Sequence, residues 1–175
     1  DIVNNVENVY LNRGLSARYS VTVRARRVNV NAVPQHPSGI VQDFAIGGNH
    51  AQAVLTNGMV RSWVNGDIPD LIAPTDLDQV VGIATGPGFA LALRSDGTLR
   101  SWGNPDGGVL NIPTGLGRVI GIAAGSRHAV ALQENGIPVT WGTVIQGRTN
   151  TPASATNIIA ISASSGNNLG LRGDG

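Results

Sequence analysis

The sequence predicts an all-β chain of stacked repeats, and three observations carry that prediction. They are a period of 39 residues, a turn dipeptide at a fixed place in each period, and short strand-type runs on either side of it. Trp63, Trp102 and Trp141 lie 39 residues apart, as do Gly58, Gly97 and Gly136, with Gly175 continuing the series. Pro74, Pro113 and Pro152 keep the spacing, and so do Gly47, Gly86 and Gly125. Apolar columns follow it too: Val54, Leu93, Leu132 and Leu171, then Phe44, Ile83, Ile122 and Ile161. The register places copies at 41–79, 80–118 and 119–157, and the start of a fourth at 158–175.

Composition agrees with this class. Hydrophobic residues make up 41% of the 175-residue chain and charged ones 13%, with 24 glycines. That balance excludes a disordered or coiled-coil chain and favours short strands joined by tight turns. The absence of Cys rules out disulfides and thiolate metal sites. A net charge of +1 gives no reason to expect nucleic acid as a partner. No apolar run is long enough to span a bilayer as a helix, and no cofactor is expected.

Residues 1–40 stand outside the register. A short run at Glu7–Asn12 leads into the turn Asn12-Arg13-Gly14. Tyr19, Val21, Val23 and Ala25 then alternate with Ser20, Thr22, Arg24 and Arg26, as in a half-buried strand. The alternation slips at Arg26-Arg27 and resumes with Val28 and Val30, which predicts a bulge. Pro34 and Pro37 close this region with a loop.

From Val41 the repeat begins, and its second copy reads most clearly. "VVGIATG", "FALALRS" and "TLRSW" are β-type runs, the last two separated by Asp96-Gly97. Asn57-Gly58, Asn135-Gly136 and Asp174-Gly175 hold the same place, and such dipeptides suit a two-residue hairpin turn. Ala90 and Ala92 alternate with Leu91 and Leu93, so the strand has a small face and a large one, each meeting a neighbouring sheet. The proline column marks the loop into the next copy. A repeat this small cannot bury its own faces and must stack. The period near 40, the hairpin and a Trp ending a strand favour the blades of a β-propeller over a linear solenoid. The fold class expected is thus a partial β-propeller of 39-residue blades, preceded by strands of a sandwich-like domain.

The segments "VVGIATGPGFALALRSDGTLRSWG" and "VIGIAAGSRHAVALQENGIPVTWG" resemble the compact bacterial form of the regulator of chromosome condensation repeat. That resemblance covers about residues 41–175 and implies a propeller, commonly of about seven blades. Val64 departs from it where Gly follows Trp102 and Trp141, Asp43 departs from the small residues Gly82, Gly121 and Ala160, and Ser164 replaces a Gly. Three copies and part of a fourth do not fill such a ring. The expectation is a segment of a longer chain, with self-association or an open ring as alternatives. The residues "DIVNNVENVYL", "ARYSVTVRARRVNV" and "QDFAIGG" resemble the tail of the β-sandwich that follows the catalytic domain in secreted bacterial subtilisin-like peptidases. That second resemblance implies an exported modular protein, extracellular or at the cell surface, whose protease domain lies upstream of this chain.

No catalytic constellation is visible. The chain has no HExxH, no Gly-Lys-Ser/Thr phosphate loop and no GxSxG elbow, and its acids are scattered over loops. His50 and His128 share a column with Phe89 and Asn167, which reads as a structural position rather than a base or metal ligand. His36 has no evident partner. Arg172-Gly173-Asp174 spells an adhesion tripeptide but aligns with a hairpin tip, and Arg24, Arg26 and Arg27 read as a solvated sheet face. The tryptophans are expected in the core or between blades. Copies differ most in the tips after their first strands and in the loops after Trp63, Trp102 and Trp141, where repeat scaffolds place partners. The candidate partner contacts are accordingly Asn49, His50, Phe89 and Arg127 in the tips, and Asp67, Asp70, Asn104, Asp106, Gln146 and Arg148 in the loops. A non-catalytic binding or scaffold segment is the expected function. The alternative implied by the propeller family is a protein-binding regulator, akin to a GTPase exchange factor or a β-lactamase inhibitor.

Overall fold

A computed structural model describes residues 41–143 and 151–174. The strands, bulge and sandwich-like tail expected in residues 1–40, together with His36, Gln146 and Arg148, lie outside the described residues.

The described chain is a run of small antiparallel sheets. β1 (Val41–Ile46), β2 (His50–Leu55) and β3 (Val60–Val64) form the first. β4 (Val80–Thr85), β5 (Phe89–Arg94) and β6 (Leu99–Gly103) form the second, and β7 (Val119–Ala124), β8 (His128–Gln133) and β9 (Pro138–Gly142) the third. β10 (Ile158–Ala163) and β11 (Asn168–Arg172) pair as a fourth, two-stranded sheet. The expected partial propeller is what the chain forms. VQDFAI pairs with HAQAVL, placing Phe44 opposite Ala53 and Ile46 opposite Ala51.

The sheets fan outward from their first strands. β1 lies beside β4, β4 beside β7 and β7 beside β10, so these strands form the hub. Farther out, β6 meets a 3₁₀ turn of the preceding blade at Pro69–Leu71, and β9 meets the matching turn at Asp106–Gly108. The core lies between sheets rather than within one. Val54 and Leu77 of the first copy pack with Val80, Ile83, Ala90, Ala92 and Trp102 of the second. Phe89, Leu91 and Leu93 pack in turn against Val119, Ala129, Ala131 and Trp141. Both faces of β5 are buried, as its small-large alternation predicts.

Two local features differ from the sequence reading or add to it. The hairpin turns have three residues rather than two, because only the glycine is left-handed: φ is 78° at Gly58, 86° at Gly97 and 77° at Gly136. The Gly58 N–H donates to the Leu55 carbonyl and the Leu55 N–H to the Met59 carbonyl, a turn followed by a glycine bulge. The Asx residue serves a different end from the one expected. Its side-chain oxygen accepts the backbone N–H two residues on, at 3.1 Å for Asn57, 2.8 Å for Asp96 and 3.1 Å for Asn135. Secondly, every first strand carries a register shift at the same column, at Val41/Asp43, Val80/Gly82, Val119/Gly121 and Ile158/Ala160. A bulge of this kind bends a strand and increases its twist, and here it recurs at one position of each hub strand. Asp43 exploits it: its carboxylate accepts the Ile83 N–H of the next blade at 2.9 Å. The one acid in its column is therefore an inter-blade tie.

Candidate partner-docking face

The antiparallel register decides where the variable segments emerge. His50 pairs with Val64, Phe89 with Gly103 and His128 with Gly142, so each tip between first and second strands adjoins the loop leaving the third. Backbone bonds join them: Asn65 N–H to Asn49 O at 2.8 Å, Asn104 N–H to Gly88 O at 2.8 Å and Thr143 N–H to Arg127 O at 2.9 Å. Asn49, His50, Phe89, Asn104, Asp106 and Arg127 thus gather at one end of the sheets. The hairpin turns lie at the other.

The base of each tip is closely packed, which accounts for its glycine. A Cβ on Gly86 would strike the Phe89 ring and the Gly125 carbonyl, and one on Gly125 would strike the His128 ring and the Ser164 carbonyl. Gly47 is enclosed in the same way by His50 and the Gly86 carbonyl. The column is glycine because a ring and the next blade's backbone occupy the space a side chain would fill. Ser164 departs from the column where the residue three on is Asn167 rather than a ring. His50 and Phe89 are consequently core residues beneath their tips, each almost fully buried. Burial pulls the His50 pKa below its ordinary value, partly opposed by the Phe89 backbone. His128 is also buried, and its Nε2 meets Asn168 Oδ1 of the fourth sheet at 2.8 Å.

The exposed candidates are Asn49, Asp67, Asp70, Asn104, Asp106 and Arg127. Three of them come together. Asn104, Asp106 and Arg127, with Pro87 and Ser126, line a shallow groove between the second and third blades, floored by Phe89 and Val109. Asn104 Oδ1 accepts the Asp106 N–H at 2.9 Å and its Nδ2 donates to the Asp106 carboxylate at 3.0 Å, fixing the loop conformation. The groove sets a carboxylate and a guanidinium against an apolar floor, a combination suited to a polar protein segment. Nearer the axis, Gly48, Pro87, Ser126 and Ser165 ring a second shallow depression, with Ser126 and Ser165 hydroxyls 3.1 Å apart. Asp67 and Asp70 stand apart, in the loop around Pro69–Leu71. Among the described residues no group of three or more His, Asp or Glu is placed to hold a metal ion. No helix there is long and apolar enough to cross a membrane.

Away from that face lies a network the sequence reading missed. Gln52 is fully buried in the column of Leu91 and Val130. Its Nε2 donates to the Leu71 carbonyl at 2.7 Å and its Oε1 accepts the Ser62 hydroxyl at 2.6 Å, while Ser62 Oγ accepts the Ala73 N–H at 2.9 Å. Trp102 of the second blade donates its indole N–H to the same Leu71 carbonyl at 3.3 Å, as Trp141 does to Val109 O at 2.8 Å. A polar residue in an apolar column was the signal, legible only by comparing copies. Arg172 and Asp174 bond to each other at 2.8 and 2.9 Å, so the adhesion-like tripeptide has its charges engaged internally.

Comparison with known proteins agrees with this geometry. The model of the regulator of chromosome condensation (RCC1) repeat matches residues 80–108, which hold β4, β5, β6 and the second 3₁₀ turn. The structure of Kap60 bound to yeast RCC1 (Prp20) matches with a TM-score of 0.67 and 20% identity, covering 82% of this chain and 44% of that one. The ectodomain of the Physcomitrella patens receptor kinase CR4 matches at 0.64 and 23% identity, covering 75% and 37% respectively. Human WBSCR16 matches at 0.63 and 20%, covering 80% and 47%. The chain spans less than half the length of each of these three, and the likeness concerns the fold. No curated protein is significantly similar in sequence.

Proposed function

We propose that this chain, with its RCC1-like repeats, is a non-catalytic protein-binding or scaffold segment whose partner docks on the end where tips and third-strand loops meet. The observation that carries this is the gathering of the variable, exposed residues Asn104, Asp106 and Arg127 into one inter-blade groove over closely packed tips. The finer setting, an exported modular bacterial protein acting outside the cell, is supported by the resemblance of residues 1–47 to the tail of a peptidase-associated sandwich.

A second reading, a regulator that binds a GTPase or an enzyme, draws on one structure of the same fold. It is that of yeast Prp20p, described with its binding to Gsp1p and histones, at 21% identity over 77% of this chain. The test uses immobilised chain as wild type, as Asp106→Lys/Arg127→Glu, and as Thr56→Glu at the opposite end. Proteins of the native host retained by wild type and Thr56→Glu but lost by the double variant support the proposal. Equal retention by all three removes it. Failure of purified small GTPases and β-lactamases to bind wild type removes the second reading alone.

A further inference from the structure

One column of the repeat, at the base of the tips, meets the next blade in three chemical forms. Between the second and third blades it is Phe89, which packs with Ala129 of the next sheet. Between the third and fourth it is His128, and Asn168 of the next sheet presents an amide oxygen to its Nε2 at 2.8 Å. Between the first and second it is His50, and Ala90, which holds the column of Asn168, has no polar side-chain atom to offer. His50 is 4% exposed, and neither of its ring nitrogens is hydrogen-bonded. Gly47 lies against both this ring and the Gly86 carbonyl of the second blade. The charged residues of the surrounding elements lie elsewhere. Asp43 of β1 and Arg61 of β3 pair with Val54 and Ala53, three to four positions along β2 from His50. β4 carries no charge, Arg94 ends β5 beside Asp78, and Asp67 and Asp70 are exposed in the loop beyond β3. A second proton on the ring would thus add a buried charge with no acceptor and no counter-ion.

We propose that His50 is an acid-operated latch: on taking a second proton its ring leaves the junction, and the first and second blades part while the Phe89 junction stays closed. The direction follows from the surroundings of the ring. Burial holds the His50 pKa below its ordinary value, the Phe89 backbone offsets part of this, and no charged side chain contributes. The opened form therefore takes the proton first, near about pH 6.5, and the closed form loses ground as pH falls through that value. With a closed-state value far below this, opening at about pH 5 is favoured by at most about 30-fold over its level at neutral pH. Phe89 has no proton to gain, so the next junction lacks this response. Local opening of one structural unit while the rest stays folded is the ordinary behaviour of stacked repeats.

The chain has no cysteine, so one introduced thiol reports one junction. Ala92 packs toward Val54 of the first blade, and Ala131, in the same column, toward Leu91 of the second; both are fully buried. Labelling of Ala92→Cys and of Ala131→Cys by dithiodipyridine, which reacts in acid, is timed against glutathione at each pH. Between about pH 7.5 and about pH 5 the relative rate at Ala92→Cys is expected to rise several-fold, up to the ceiling of about 30-fold. At Ala131→Cys it is expected to stay flat. Adding His50→Phe to Ala92→Cys is expected to flatten that rise. Val54→Cys, on the first sheet's side of the same junction, is a second reporter with the same expectation, and matching circular dichroism at neutral pH shows that each variant is folded. No rise at Ala92→Cys or Val54→Cys, an equal rise at Ala131→Cys, or a rise that persists with His50→Phe overturns the proposal.

Discussion

The first and second blades are built from the same repeat and differ in what lies beside them. Trp102 is buried with its indole bonded to the first blade's loop, whereas Trp63, in the same column, is 41% exposed. Trp102 and Trp141 lie between blades, as the sequence leads one to expect, while Trp63 has no blade packed on it among the described residues. A column in a repeat protein specifies half of an interface. Burial arrives with the neighbour that supplies the other half. The second difference runs the opposite way. β2 carries Gln52 where β5 carries Leu91, and the first blade holds its loop with side-chain hydrogen bonds at that place.

The comparison can be broken most directly at the tryptophans. Trp102→Ala should cost about 3–5 kcal/mol, the range for a large aromatic lost from a packed core. Trp63→Ala, measured in the same urea titration, should cost no more than about half of that. Equal losses would mean that the two blades are not differently supported.

Next in size is the hub glycine. Gly86→Ala forces its methyl into the Phe89 ring and the Gly125 backbone, and should cost about 1–3 kcal/mol or more. Gly48→Ala meets nothing nearer than 3.5 Å and should leave the thermal midpoint within a degree or so of wild type, about the scatter of neutral surface changes. A tolerated Gly86→Ala would contradict the close approach of blades at the hub.

Gln52→Ala removes both hydrogen bonds of its side chain, leaving the Leu71 carbonyl with the Trp102 indole N–H alone and the Ser62 hydroxyl without the acceptor it donates to, at a cost of about 1–3 kcal/mol. Chemical denaturation of this variant beside Leu91→Ala would sharpen the contrast between a polar and an apolar clasp.

The smallest effect concerns pH. The His50 pKa is lowered in the folded chain by burial, so the unfolded chain binds protons first. Stability from this group is full above its unfolded value of about 6.5 and declines as pH falls through that value toward the lower folded one. His50→Phe, which installs the residue of the second blade, should lose less stability than wild type between about pH 7.5 and about pH 5. Parallel losses in the two proteins would show that His50 does not titrate on folding.

Much of this fold was legible in residues 41–143 because a repeat states each requirement several times. The Trp, Gly and Pro columns, and the Ala-Leu alternation of β5, each pointed to what the structure shows. The candidate site was legible as loops and tips, but not as a groove. Only the pairing of His50 with Val64, and its counterparts in the next two blades, puts tips and loops at one end. His50 and Phe89 looked like tip residues in the sequence, and it is the glycine three residues earlier that draws their rings inward. The hairpins differ from the two-residue reading because Asn-Gly and Asp-Gly fit either turn, and here the glycine alone is left-handed and a bulge follows it.

The sequence by itself determined the period, the all-β class and which strand faces are small or large, since these follow from local side-chain chemistry repeated in register. The tertiary structure alone decided which of those faces are covered, that Asp43 ties one blade to the next, that Gln52 clasps a loop, and that Asn104, Asp106 and Arg127 share a groove. The physical reason is the same throughout. Each is a contact between residues 19 to 40 positions apart or on separate sheets, and its strength depends on a distance that no single strand encodes.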